Sequence, residues 1–242
     1  MPPEAKRKRR DRSETPPAEG SDKKTQIDFS KGTIEVVVGA TDPVTFHVQE
    51  ELIRRNSGYF RSIFSGQWVE SSNRKVRLAW HEADIFNFYL NWVYRRDLDK
   101  PIVVSEEAIM LRYLELAKAY ALGDYLQDFT FKNAVIDAFS SIMNGTSGYP
   151  RSYPNAIVVY EVYTNTTEHS GLRNLLVHIY AQSETNLGKW FVEERKSDDF
   201  PQGFLYDLAA SLLKKGARSA LCLIDSRKFH DVCPIKGATA DG

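Results

Sequence analysis

Residues 44–66 read VTFHVQEELIRRNSGYFRSIFSG, and the way this stretch divides decides the fold. VTFHV is β-branched and aromatic, the composition of a pleated, half-buried strand. QEELIRRNS places Leu52 and Ile53 on one side of a short helix. Tyr59–Phe60 and Ile63–Phe64 then recur four residues apart and stop at Ser65–Gly66, which predicts a second short buried helix. Upstream, TIEVVVG (33–39) is another β-branched run and ATDP supplies turn residues, so a hairpin precedes the helices. Downstream, KVRLAW (75–80) alternates apolar and charged residues with period two, as a strand with one buried face does. The order is therefore strand, strand, helix, helix, strand. Trp68 follows the second helix's stop and precedes Glu70 by two residues, in a stretch that otherwise reads as loop.

The remainder is predicted to be helical. EADIFNFYLNWVYRR carries Ile85, Phe86, Tyr89, Leu90 and Val93 at helical spacing, and DLDKP ends it, because Pro101 disfavours a helical Lys100. Ser105 can cap the next helix, and Glu106 and Glu107 suit its positive end. That helix places Met110, Leu114, Ala117 and Ala121 on one face with Tyr113, Leu116 and Tyr120 beside them, a surface broad enough to predict burial. Val135, Ile136, Phe139 and Ile142 continue the pattern until NGTSGYP breaks it. IVVYEV (157–162) is ambiguous: its β-branched content favours strand, its helical setting favours helix. Leu172, Leu175, Leu176 and Ile179 mark one helical face; Phe204, Leu205, Leu208, Ala209, Leu212 and Leu213 mark another, with Pro201 near the start and Lys214–Lys215–Gly216 as the stop.

The 242 residues contain 32 Lys plus Arg and 32 Asp plus Glu, so no summed field draws the whole molecule onto nucleic acid or an anionic membrane. An electrostatic partner must act locally. Residues 1–30 are Pro, Ser, Glu, Lys and Arg with little to bury, the composition of a disordered tail. Within them Lys6, Arg7, Lys8, Arg9 and Arg10 resemble a nuclear-import signal or a nucleic-acid contact; the alternative is a solvated charge run. The opening residues lack the apolar core of a signal peptide, no apolar run has membrane length, and only Cys222 and Cys233 are present, so an intracellular protein of nucleus or cytoplasm is expected. No phosphate-cradling Gly-rich loop, HExxH, GxSxG or paired CxxC occurs. His47 falls in a strand, His178 on the polar side of its helix, and His81 and His169 near helix starts, which are structural or surface settings. Cys222, His230 and Cys233 are too few, and spaced unlike any common site, for a metal to be expected. An enzyme is not expected, nor a cofactor.

Taken as an ordered set, IEVVVG, VTFHVQEELIRRNSGYFRSIFSG, KVRLAW and FNFYLNWVYRRDL resemble the BTB/POZ domain. The matching positions are Phe46, His47, Val48, Leu52, Ser57, Tyr59, Phe60 and Tyr94, and LAKAYALGDYLQDFTFKNAVIDAF (116–139) resembles the helix pair that closes that domain. The whole chain is similar to fungal BTB-domain proteins with a helical extension, a likeness that tips IVVYEV toward helix. It implies an α+β BTB fold over 31–145, an all-helical extension over 146–235, and tails at 1–30 and 236–242. It further implies a protein–protein interaction module that acts as an adaptor holding a cullin scaffold in a ubiquitin ligase. In the family a hydrophobic–x–Glu motif after the S-x-Y-F helix makes that contact, and here it corresponds to Trp68, Val69 and Glu70. Trp68 would either fill a partner's pocket or fold back onto Phe64 or Tyr59. The alternative is a nuclear self-associating scaffold, or a transcription-linked BTB protein without a ligase role. Two departures stand out: Thr33 falls where the family commonly has Asp, and no amphipathic helix precedes it, so the strand-swapped dimer of some members is not implied.

Overall fold

The computed structural model describes residues 30, 32–65, 73–98, 105–146, 148, 151–182, 200–215 and 224–231. Among them is an α+β arrangement of one small mixed sheet and eight α-helices. Strands β1 (Thr33–Val38) and β2 (Val44–Gln49) form the expected hairpin, in register from Thr33 opposite Gln49 to Val38 opposite Val44. Helices α1 (Glu50–Asn56) and α2 (Gly58–Ser65) follow, and α1 buries Leu52 and Ile53 as its spacing predicts. Strand β3 (Lys75–Leu78) then pairs with β1 in parallel, from Glu35 opposite Lys75 to Val38 opposite Leu78. Strand β2 carries the chain back to the Thr33 end of β1, where β3 begins, and α1 and α2 lie in sequence between those two strand ends. The strand order is β2-β1-β3.

Strand β3 is shorter than its alternation implies. Val76 and Leu78 are buried, but the chain turns at Ala79–Trp80, so Trp80 leaves the phase of the strand and is 94% exposed. Helix α3 (Ala83–Arg95) buries Ile85, Phe86, Tyr89, Leu90 and Val93. Its stop lies ahead of the proline invoked above: Arg96 adopts a left-handed conformation (φ 59°) and donates its N–H to the Trp92 carbonyl. That conformation is costly for a residue with a Cβ. Two side-chain contacts offset it, as the Arg96 guanidinium lies 4.4 Å from the Trp92 ring centre and donates to Asn56 Oδ1.

Helix α4 (Glu106–Leu126) begins at Ser105, whose hydroxyl accepts from Ala108 N at 3.2 Å. Its deepest face runs through Ile109, Tyr113, Leu116, Ala117 and Tyr120, while Met110, Leu114 and Ala121 of the expected face are only half-buried. The same helix buries Arg112, which donates to Glu115 and to the Leu98 carbonyl and lies 5.1 Å from the Phe88 ring centre. A two-residue corner, Gln127–Asp128, turns the chain into α5 (Phe129–Asn144), with the Asp128 carboxylate accepting from Phe131 N at 3.0 Å. IVVYEV is helical, as part of α6 (Ala156–Asn165), which lies along α4.

Helix α7 (Gly171–Gln182) buries Leu172, Leu175, Leu176 and Ile179. Its His178 is half-buried, with its ring 4.9 Å from that of Phe229, where a solvent-facing position was expected. Helix α8 (Gln202–Lys215) packs on α7 through Phe204 and Leu208, yet Ala209, Leu212 and Leu213 of its predicted stripe are exposed, Leu213 by 86%. Periodicity sets which face is apolar; the neighbouring surface sets how much of that face is covered.

A C-terminal segment, residues 224–231 with a short 3-10 turn at Ser226–Phe229, returns across α5 and α7. Two asparagines about three turns apart on α5 hold it. Asn144 exchanges two hydrogen bonds with the backbone of Ile224, and Asn133 does the same with Asp231. Each side-chain amide thereby imitates a strand partner. The approach is close enough to require glycine at 171, where a Cβ would lie 1.9 Å from the Phe229 carbonyl oxygen. Buried apolar residues from Ile34 to Ile224 form one continuous cluster.

Candidate functional site

Ser57 joins three helix ends. Its backbone N–H donates to the Ile53 carbonyl at the close of α1, and its hydroxyl accepts from Phe60 N at 3.2 Å at the start of α2. The same hydroxyl donates to the Leu126 carbonyl, 2.6 Å away at the end of α4. Gly58 N–H donates to the next carbonyl, that of Gln127, and a Cβ on Gly58 would meet the Gln127 side chain at 2.8 Å. The sequence Ser–Gly is thus what lets α2 seat its first turn against α4, with Phe60 fully buried. The direction of α2 is set here.

The positions that carry the resemblance have packing duties. Val48, Leu52, Ser57 and Phe60 are buried, and Phe46 packs edge-on to Phe86 with ring centres 5.2 Å apart. Tyr94 Oη accepts from Gln49 N at 3.2 Å and fixes the end of β2 to α3. His47 is exposed on β2. Tyr59 is half-buried beside Tyr125, with ring centres 5.0 Å apart, and Tyr125 in turn lies 4.6 Å from His81.

This aromatic group opens onto a groove of about 650 Å³ between the β3–α3 corner, α4 and α6. Trp80 stands on its rim and Ile85 and Ala121 contribute to its lining. Charge is concentrated at the centre, where Lys118 Nζ reaches Glu82 Oε1 at 2.6 Å and Glu161 faces both from α6. Burial pushes the Glu161 carboxyl above its ordinary value, Lys118 pulls it back and Glu82 pushes it further up. Burial also holds the His81 imidazole below its ordinary 6.5, so the neutral ring prevails at neutral pH. Aromatic side chains, the apolar Ile85 and Ala121, and three carboxylates with one lysine make up the described lining of this groove. No such role for Trp80 was read from the sequence, because its phase in KVRLAW matches that of the buried Val76 and Leu78.

Trp68, Val69 and Glu70 lie outside the described residues, as do Lys6, Arg7, Lys8, Arg9 and Arg10, and Cys222 and Cys233. His230, the remaining member of the Cys–His set, pairs with Asp137 Oδ1 at 2.8 Å. Ser226 donates to the same oxygen, so its proton is directed to a carboxylate and away from the imidazole, the wrong order for activating a hydroxyl. His169 is exposed, two residues ahead of α7. No helix among the described residues is long and apolar enough to cross a membrane. No protein-family model matches the chain, and no curated protein matches it.

Proposed function

We propose that the chain is a BTB/POZ-type interaction module that serves as an adaptor, holding a cullin scaffold through Trp68, Val69 and Glu70. One observation carries the reading: the motif residues Phe46, Val48, Leu52, Ser57 and Phe60 all fall at the packing points of a mixed sheet and two short helices. Ser57 and Gly58 fix α2 against α4, and the hydrophobic–x–Glu sequence begins three residues after that helix ends. Folding accounts for the first half of YFRSIFSGQWVES. For Trp68 and Glu70, which lie outside the described residues, an interface supplies a role: an aromatic anchor fills a pocket and a carboxylate sets its orientation.

The test is capture of the full chain by an immobilised cullin N-terminal domain. Wild type is expected to be retained and Trp68→Ala/Glu70→Ala to lose tenfold or more in affinity, roughly the effect of losing one interface anchor. Equal, background retention of both would sink the adaptor reading. A second reading, a nuclear self-associating scaffold, draws on β2, which among the described residues is an edge strand without a single charged residue; exposing Val44, Thr45 and His47, it is poorly defended against pairing. Concentration-dependent light scattering separates it from the first, since a monomer at all concentrations counts against a scaffold.

A further inference from the structure

Trp80 is the most exposed large apolar side chain among the described residues, and no part of the fold accounts for it. It projects from the turn that follows β3 onto the groove bordered by α4 and α6. The charge around that groove does not balance. Among the described residues that line it, Glu82, Asp124 and Glu161 are set against Lys118, an excess of two negative charges; Asp124 also pairs with Lys132, which Asp231 shares. His81 adds no cation at neutral pH. An exposed indole beside a net excess of carboxylate is chemistry for binding arginine and lysine, the first for stacking and both for charge.

The chain carries a ligand of that kind. Lys6–Arg10 is a run of five consecutive cations, and the 22 residues from Asp11 to Gly32 separate it from the start of β1. Twenty-two residues span at most about 75 Å. The groove lies at the far end of β1, because Gly39 N–H donates to the Leu78 carbonyl there and His81 N–H donates to the same carbonyl. Six residues of strand cover about 17 Å. The segment is therefore long enough to reach the groove, and a flexible tether of short length gives a local concentration of roughly the millimolar range.

We propose that the groove between the β3–α3 corner, α4 and α6 is the docking site of the chain's own basic segment, Lys6–Arg10, with Trp80 as its stacking platform and Glu82 and Glu161 as its counter-charges. Docking makes the basic segment and the groove mutually exclusive ligands: whatever reads the tail must displace it from the groove, and whatever occupies the groove releases it. The proposal does not depend on the adaptor reading, which concerns residues 68–70.

The experiment is zero-length carbodiimide cross-linking of the full chain, in a dilute equimolar mixture of isotopically labelled and unlabelled protein, followed by peptide mapping. Within-chain links from Lys6 or Lys8 to Glu82 or Glu161 are expected. They should fall at least fivefold in 0.5 M salt, as roughly expected for a pairing of exposed charges, and fall likewise in Trp80→Ala, which keeps every carboxylate. Trp80 is exposed, so that substitution leaves the core intact. Links spread evenly over remote carboxylates such as Glu168 and Asp207 overturn the proposal. So do links between labelled and unlabelled chains, which would assign the groove to a second copy, and the absence of any link. As an independent readout, replacing Lys6, Arg7, Lys8, Arg9 and Arg10 by Ser should increase acrylamide quenching of the Trp80 emission, isolated as the difference between wild type and Trp80→Phe. Unchanged quenching counts against docking.

Discussion

At the scale of single residues, His81 shows how packing gives a side chain a pH dependence that its position in the sequence does not predict. A histidine near a helix start reads as a surface residue, and the cause of its shift, burial against Tyr125, comes from an element more than forty positions away. Its folded pKa lies below the ordinary 6.5, so between those two values the unfolded chain binds the extra proton. Stability is therefore fully present above about 6.5 and declines as pH falls toward the folded value. Urea midpoints at pH 7 and pH 5 test this: the loss on acidification should be smaller in His81→Phe, which keeps a ring against Tyr125 and cannot titrate. An identical loss in both proteins would remove His81 as a contributor. Arg112 teaches the same lesson, since its burial follows from a carbonyl at Leu98 and a ring at Phe88 that helical spacing alone does not reveal.

At the scale of elements, the junction of α1, α2 and α4 concentrates the most structure in one hydroxyl. Ser57→Ala removes the cap of α2, worth about 1 kcal/mol, and leaves the Leu126 carbonyl without that donor in a buried place, worth about 1 kcal/mol more. Chemical denaturation should show a loss of about 2 kcal/mol, and thermal unfolding a fall of roughly 4–8 °C for a chain of this size. A change below about 0.5 kcal/mol would mean that water replaces the hydroxyl at no cost. Helices α1 and α2 are legible in the sequence because two short amphipathic runs with a Ser–Gly between them have few other solutions. The partner of Ser57 is not, since it lies 69 residues away.

At the scale of the whole molecule, Lys132 binds distant parts of the chain together. It is almost fully buried, with Nζ 2.6 Å from Asp124 on α4 and 3.2 Å from Asp231 in the C-terminal segment, and its ammonium lies 5.0 Å from the Tyr120 ring centre. Asp231 also accepts from Tyr120 Oη and from Gly171 N, so one cluster links α4, α5, α7 and the returning segment. Lys132→Met strands two carboxylates, and breaking a buried pair from one side costs about 3–5 kcal/mol. The expected result is a fall of roughly 10 °C in the thermal midpoint, with the segment 224–231 becoming cleavable by protease before global unfolding. A midpoint within about 2 °C of wild type would show that the carboxylates find water instead.

What the sequence determined by itself was local. Alternation and helical spacing are encoded within ten or fifteen residues, so the hairpin, the pair of short helices and the Leu face of α7 were legible, as was the cap at Ser105. The tertiary structure alone decided that β3 runs parallel to β1, that α3 ends on a left-handed Arg96, and that α8 leaves Leu212 and Leu213 uncovered. It alone turned Trp80 outward beside Glu82 and Glu161. The reason is physical: periodicity states which side of an element is apolar, whereas exposure depends on where its neighbours end, and those neighbours are brought together only by the closed fold.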